Sequence, residues 1–206
     1  HAVLTSREPR KMLLNRRNLF IAAALAIVTL LAVVVYTRMP AGNGERPEGF
    51  GDISAFKPAT EARPVPALAF TDAAGKSLTL ADFRGKVVVL NLWATWCTPC
   101  VAEMPMLDRL QQELGDEGVV VLALSIDRAG SKAVQEFYDR TGVRHLGVYV
   151  DPSMRSTTDL RAPGLPTTLL IDPEGTELGR VIGPMEWDSP EAIELVRTAM
   201  NTARTP

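Results

Sequence analysis

The chain of 206 residues is poor in the side chains that most often build metal sites. It has two cysteines and two histidines, and the histidines, His1 and His145, are not spaced as a pair. A tetrahedral zinc site needs four ligands, so this set disfavours zinc. The sequence contains no phosphate-binding loop, no Ser/His/Asp constellation and no internal repeat. The formal net charge is −2, and the basic residues of the predicted globular domain are scattered along an acidic sequence. This pattern gives no support for nucleic-acid binding.

The two cysteines are the most informative residues that are present. Cys97 and Cys100 lie at C-x-x-C spacing, after the apolar run 87–92 and before a helical pattern. A helix N-terminus favours the thiolate, which is the form that attacks a disulfide. The cysteine pair could be half of a zinc site, but the other ligands would be missing. It could also be a purely structural disulfide, but closing so short a loop would remove little entropy from the unfolded chain. The pattern therefore favours a redox-active dithiol with no metal and no other cofactor.

Charge and hydropathy divide the first third of the chain. Residues 1–18 contain five basic residues and one acidic residue, a net charge of +4, so the rest of the chain carries −6. Residues 19–36 contain no charged side chain, and a helix of that length spans roughly 27 Å, enough to cross a bilayer core. Arg16 and Arg17 favour the cytoplasmic side for the preceding segment. We predict a basic cytoplasmic head, a single transmembrane anchor and a C-terminal part on the outer side.

The apolar segment has two other interpretations. It could be a buried core helix, although its lack of a polar face argues against this, or a cleaved signal peptide, although no small-x-small cleavage site follows it. Met12 is a natural start, so residues 1–11 could be an extension. Residues 37–64, rich in proline, glycine and small polar residues, are predicted to be a linker, and 65–206 a globular domain.

The globular part alternates between predicted strands and helices. Ser131 and Ser189 are predicted helix N-caps, with Pro190 at the first helical position. The order of elements indicates an α/β fold with a mixed central sheet covered by helices on both faces. The strands are predicted at 67–70, 77–79, 87–92, 119–125, 146–150, 167–171 and 177–182, and the helices at 99–114, 131–140, 153–160 and 189–201.

Several motifs occur in a fixed order along residues 65–203. They are Leu-Ala-Asp-Phe-Arg-Gly-Lys at 80–86, Val-Val-Val-Leu-Asn-Leu-Trp-Ala-Thr-Trp-Cys-Thr-Pro-Cys at 87–100, Glu-Met-Pro at 103–105, Gly-Leu-Pro-Thr-Thr at 164–168 and Ile-Asp-Pro-Glu-Gly at 171–175. With these motifs the chain resembles the thioredoxin superfamily. It most closely resembles the membrane-anchored TlpA/ResA/CcmG branch of thiol:disulfide oxidoreductases, and TlpA within it.

The resemblance implies roles for three residues of the catalytic helix. Cys97 would be the exposed attacking thiol and Cys100 the buried thiol that resolves the mixed disulfide. Thioredoxin has a buried Asp where this chain has Asn91, which takes up no proton. The ResA-like branch instead has an acid three residues after the second cysteine, which is Glu103 here. Glu103 would handle the proton of Cys100; its alternative interpretation is a structural, partly buried carboxylate.

The resemblance also implies a surface that receives the substrate. Pro166 corresponds to the family's cis-proline, which would leave the Leu165 backbone free to pair with an extended substrate segment. Trp96 would belong to an apolar rim around the nucleophile, and Thr98 and Pro99 would tune the reduction potential. Trp93 is predicted to be core and His145 a surface loop residue.

The predicted function is a periplasmic protein-disulfide reductase anchored in a bacterial inner membrane. The resemblance implies exported clients in cytochrome biogenesis: a Sco-like copper chaperone, the copper subunit of cytochrome oxidase, or apocytochrome c factors. It implies a DsbD/CcdA-like membrane protein as the electron donor. A copper-binding Sco-like metallochaperone is the alternative, but such proteins carry C-x-x-x-C and a distal histidine. A thiol peroxidase is a third possibility, disfavoured because its relatives lack this C-x-x-C arrangement.

Overall fold

The computed structural model describes residues 51–203, together with Leu25, Ile27 and Thr29, which are helical. The chain divides into two compact units, residues 1–46 and residues 47–206. The predicted basic head, most of the predicted anchor and residues 37–50 of the predicted linker lie outside the described residues. Within the described part, no helix is long and apolar enough to cross a membrane.

Residues 51–203 form one mixed eight-stranded sheet with helices packed on it. The strand order is β1-β8-β7-β4-β5-β6-β2-β3. The strands are β1 (Lys57–Pro64), β2 (Ala69–Asp72), β3 (Ser77–Thr79), β4 (Val87–Trp93), β5 (Val119–Ser125), β6 (Tyr149–Val150), β7 (Thr167–Ile171) and β8 (Thr176–Ile182). The helices are α1 (Thr98–Leu114), α2 (Ser131–Thr141), α3 (Arg155–Asp159) and α4 (Pro190–Ala203), with short 3-10 turns at Ile53–Ala55, Leu80–Phe83 and Gly115–Glu117.

The central strand β4 is buried along its whole length, as its apolar run predicts. β4 pairs in parallel with β5 and antiparallel with β7, and each residue of β4 is buried. Side chains alternate between the two faces of a strand. Val87 and Val89 accordingly join one hydrophobic cluster, and Val88 and Leu90 join another.

The two faces of the sheet are covered unequally. The buried apolar side chains of α1, α2 and α4 belong to the first cluster. The second cluster is closed by Leu68 and Phe70 near the β2–β3 hairpin and by Leu160 after α3. The expected helices on both faces are therefore present, but one face has only the five-residue α3 and the hairpin.

The end of the predicted linker is in fact part of the sheet. β1 is an edge strand antiparallel to β8, although 37–64 was expected to be a tether. All eight residues of β1 are exposed, so the strand has no hydrophobic alternation that a sequence pattern could show. Gly179 of β8 allows β1 to lie close to β8, because a Cβ on Gly179 would lie 2.4 Å from Cζ of Phe56.

Two local predictions are wrong for reasons visible in the hydrogen bonds. The strand predicted at 146–150 is reduced to Tyr149–Val150, and the N–H groups of residues 144–146 before it bind the Asp108 carboxylate instead of a neighbouring strand. Ser131 is the first residue of α2 and not its cap; Gly130, with φ of +70°, occupies the cap position. Ser189 does cap α4, accepting a hydrogen bond from the N–H of Ala192 at 3.2 Å.

Candidate functional site

The two cysteines form a disulfide at the carboxyl end of the central strand. The Sγ atoms of Cys97 and Cys100 are 2.04 Å apart, and their Cα atoms 5.3 Å. Cys97 is the residue before α1, and its carbonyl accepts the N–H of Val101 at 2.9 Å. Cys97 is 7% exposed and Cys100 is fully buried. Cys97 is thus the more accessible residue of the pair, but it is buried in the disulfide form, whereas the resemblance implied an exposed thiol.

The two residues between the cysteines form the exposed surface of the first turn of α1. Thr98 and Pro99 are both exposed. Pro99 has no N–H, but the first amide groups of a helix have no partner within the helix, so it fits there. Cys97 lies at the N-terminus of α1, where the positive end of the helix dipole favours a thiolate once the disulfide is reduced.

A cis-proline segment lies at the same end of the sheet as the disulfide. The Leu165–Pro166 peptide bond is cis. β7 begins directly after it, and Thr167 pairs with Leu92 near the end of β4. The carbonyl of Pro166 accepts the N–H of Gly183 at 2.9 Å. The sheet therefore brings together the C-x-x-C and the Gly-Leu-Pro motif, which are more than sixty residues apart.

Two large apolar side chains are exposed at this end of the domain. Trp96, directly before Cys97, is 65% exposed, as expected for a rim around the disulfide. Ile182 is 57% exposed and lies opposite Thr167 in the β7–β8 pair, one residue from the cis-proline. Sequence analysis missed Ile182, since only strand register places it near the site. Trp93, in contrast, is buried and stacks on Tyr138 with 6.0 Å between ring centroids.

Glu103 lies in the core, one helical turn beyond Cys100. Its Oε1 accepts a hydrogen bond from Nδ2 of Asn91 at 2.7 Å, and its Oε2 accepts the N–H of Met185 at 3.3 Å. The same Asn91 amide donates to Oγ1 of Thr168 at 2.9 Å. Burial raises the pKa of Glu103 to about 8, and the hydrogen bonds from Asn91 and Met185 oppose that rise only in part. A carboxyl group with such a pKa exchanges its proton near neutral pH.

His145 stands apart from this arrangement. Its side chain is exposed, and its backbone N–H donates to Asp108 at 2.7 Å. In residues 51–203 no three His, Cys, Asp or Glu side chains are grouped as metal ligands.

The fold and the disulfide define a class: a thioredoxin-like protein-disulfide oxidoreductase. Comparison with known proteins assigns the chain to a family. The profile of the Redoxin family matches residues 60–196, so the chain belongs to that family. ResA of Bacillus subtilis strain 168, a thiol-disulfide oxidoreductase, is 30% identical over 173 residues, covering 83% of this chain and 88% of the relative. ResA of Bacillus anthracis is 36% identical over 118 residues, covering 57% and 67% respectively.

Solved structures agree with this assignment. A Chlorobium tepidum chain described as a thiol:disulfide interchange protein DsbE superposes with a TM-score of 0.58 at 26% identity, covering 69% of this chain and 96% of that one. The exposed lipoprotein thioredoxin Etrx1 of Streptococcus pneumoniae strain TIGR4 gives a TM-score of 0.54 at 28% identity, with coverages of 66% and 99%. The chain is therefore a ResA/CcmG-like thiol-disulfide oxidoreductase. The narrower similarity to TlpA stays a prediction.

Proposed function

We propose that the protein is a membrane-anchored reductase that acts on disulfides of exported proteins, with Cys97 as its nucleophile. The observation that carries this proposal is the placement of the Cys97–Cys100 disulfide at the end of β4, beside the cis Leu165–Pro166 segment and above the buried Glu103. In this arrangement the exposed first turn of α1 would meet the client, the backbone of Leu165 would pair with its extended chain, and Glu103 would take up the proton of Cys100.

The first half of the reaction transfers the client to the enzyme. The Cys97 thiolate attacks one sulfur of the client disulfide and forms a mixed disulfide. The client's S–S bond breaks, and its second sulfur leaves as a thiolate that takes a proton from water. In the proposed complex the client lies against Trp96 and pairs its backbone with that of Leu165.

The second half releases the client. The Cys100 thiol passes its proton to the Glu103 carboxylate and attacks the sulfur of Cys97, so the Cys97–Cys100 disulfide forms and the client leaves as a thiolate. Two electrons have then moved from the enzyme to the client. In the disulfide form the pKa of Glu103 is about 8, so at neutral pH this carboxyl group retains the proton that the mechanism gives it. When a donor reduces the enzyme again, Glu103 returns the proton to Cys100.

A trapping experiment tests the assignment of the two thiols. Cys100→Ser is expected to accumulate a mixed disulfide with a client, because the resolving thiol is gone, whereas Cys97→Ser is the matched variant and should trap nothing. Mapping of a client to Cys100 in the Cys97→Ser protein would overturn the assignment. The reduction potential of the pair then sets the direction: about −250 mV or lower fits a reductase, and about −120 mV fits an oxidant.

The location and the partners form the second part of the proposal. The charge-free segment 19–36 after a basic head supports an anchor in the bacterial inner membrane with the domain in the periplasm, and the pneumococcal relative is described as an exposed lipoprotein. The proposed clients serve copper-site assembly of cytochrome oxidase or cytochrome c maturation, with a DsbD/CcdA-like donor. A phosphatase fused after residue 206 should be active and a cytosolic reporter inactive; the reverse pattern would invert the topology.

A further inference from the structure

The short turn between β4 and Cys97 is held by a residue from the neighbouring strand. Asp127 lies two residues after the end of β5, which pairs with β4 as far as Trp93 and Ser125. Its Oδ2 accepts the backbone N–H of Thr95 at 2.8 Å, and its Oδ1 accepts the Thr95 hydroxyl at 2.8 Å. Its Oδ2 also accepts the hydroxyl of Ser125 at 2.7 Å. Both carboxylate oxygens are therefore bound to one residue of the turn.

The Asp127 carboxylate is buried, so it depends on hydrogen-bond donors from the protein. Asp127 is only 4% exposed, and a carboxylate out of water is stable only where donors replace its hydration. Two of the three groups that donate to its carboxylate belong to Thr95. Loss of these two bonds would leave a buried carboxylate with too few hydrogen bonds. The bidentate contact fixes the position of Thr95 against the end of β5, and Thr95 is two residues before Cys97.

Two backbone hydrogen bonds hold the rest of the turn between β4 and Cys97. The carbonyl of Trp93 accepts the N–H of Ile126 at 3.0 Å, and the carbonyl of Ala94 accepts the N–H of Cys97 at 3.1 Å. Trp96 follows Thr95 and projects into solvent. The contact between Asp127 and Thr95 fixes the middle of this turn, directly before Trp96 and two residues before Cys97.

We propose that Asp127 is a positioning residue for disulfide exchange, which acts through Thr95 to set the orientation of Cys97. The proposal concerns the rate of the attack and not the fold. It rests on Cys97 being the attacking thiol, which the trapping experiment tests separately: Cys97→Ser abolishes exchange whether or not Asp127 has this role.

Three variants separate positioning from charge. Thr95→Val has nearly the same shape and keeps the backbone bond and the Asp127 charge, but removes the hydroxyl donor. Asp127→Asn removes the charge and disturbs both bonds. Thr95→Ser keeps the hydroxyl and is the conservative variant. Asp108→Asn is the matched control, because Asp108 is also buried, at 9% exposure, and also accepts three N–H bonds, from residues 144–146.

The assay is stopped-flow reduction of a small aromatic disulfide by the reduced full-length protein from pH 5 to 9, which gives the plateau rate and the midpoint of the Cys97 titration. Thr95→Val and Asp127→Asn are both expected to lower the plateau rate by at least about threefold, because the attacking sulfur is no longer held in line. Thr95→Ser should stay within about twofold of the native rate. Asp108→Asn should lower the melting temperature and leave the plateau unchanged.

Two results would overturn the proposal. If Asp127→Asn shifts only the titration midpoint and Thr95→Val changes nothing, the carboxylate acts through its charge. If both variants lower the melting temperature as Asp108→Asn does and leave the rate unchanged, Asp127 is structural. If Asp127→Asn fails to fold, the plateau rates of Thr95→Val and Thr95→Ser decide between the same outcomes.

Discussion

The buried carboxyl group of Glu103 should make the stability of the protein fall as the pH rises, and one substitution should remove that effect. The pKa of Glu103 rises from the usual 4.5 to about 8 in the folded state, chiefly because it is buried. Between these pH values the folded state holds a proton that the unfolded state has lost. The free energy of unfolding therefore decreases by about 1.4 kcal/mol per pH unit from this group alone.

The size of the effect follows from the two pKa values. The stabilisation by this proton is fully present below about pH 4.5 and is lost as the pH passes about 8. The whole change has an upper limit of about 5 kcal/mol. Glu103→Gln abolishes the titration and retains an oxygen that accepts the bond from Asn91. Its NH2 group would face the N–H of Met185, so two donors would oppose each other. This lowers the free energy of unfolding by about 1 kcal/mol at every pH.

The expected result is a pair of stability curves that cross. Urea unfolding of the oxidised protein at pH 5, 7 and 9 should find Glu103→Gln slightly less stable than the native protein at pH 5 and clearly more stable at pH 9. Glu136→Gln, on the exposed side of α2, is the control and should follow the native curve. Parallel losses of stability in the native protein and Glu103→Gln would show that Glu103 is not neutral in the folded state, and the argument would fail.

Two further predictions concern the sheet edge and the rim of the site. Gly179→Ala should lower the free energy of unfolding by about 1–3 kcal/mol in urea titration, because its Cβ would lie 2.4 Å from Cζ of Phe56 and 2.6 Å from the carbonyl oxygen of Lys57, whereas Gly164→Ala meets no heavy atom within 4 Å and should be neutral. Trp96→Ala should slow reduction of a protein disulfide and leave reduction of a small disulfide unchanged in parallel kinetic assays, since only a protein client covers the exposed ring; equal slowing of both would contradict a docking role.

Sequence patterns predicted the centre of the fold and missed one edge of the sheet, for a physical reason. β4, β5 and β7 are buried on both faces, so their apolar runs mark them within one residue of their observed bounds. β1 buries none of its side chains and is held by backbone pairing with β8. Backbone pairing leaves no trace in the side-chain pattern, so this segment was indistinguishable from a linker.

The site was predictable to the extent that it is local in sequence. Cys97, Cys100 and Glu103 lie on one short segment, and helical spacing alone places the acid beside the second cysteine. The groups that set the environment of that acid come from elsewhere: Met185 is 82 residues away and reaches Glu103 through a backbone N–H. A backbone donor has no residue-type signature, so no motif could have indicated it.

Two buried acidic residues, Asp127 and Glu103, have the roles proposed above for the cysteine pair, and their hydrogen bonds suit them to different tasks. Asp127 accepts three bonds of 2.7–2.8 Å, which hold both of its oxygens in place. Glu103 accepts a short bond at Oε1 and a longer one of 3.3 Å at Oε2, and the Trp187 side chain also opposes the rise in its pKa. These interactions offset the effect of burial only in part, so the raised pKa of Glu103 lets it hold a proton near neutral pH.

This difference assigns holding to Asp127 and proton exchange to Glu103 in the mechanism proposed above. The two roles should separate in one set of kinetic profiles. Asp127→Asn should lower the plateau rate of attack by Cys97, because the sulfur is misplaced at every pH. Glu103→Gln should leave that plateau unchanged and flatten the pH dependence of the resolving step, because only the proton of Cys100 has lost its acceptor. An identical change in both profiles would mean that the two acids act as one unit, and the assignment of separate roles would be wrong.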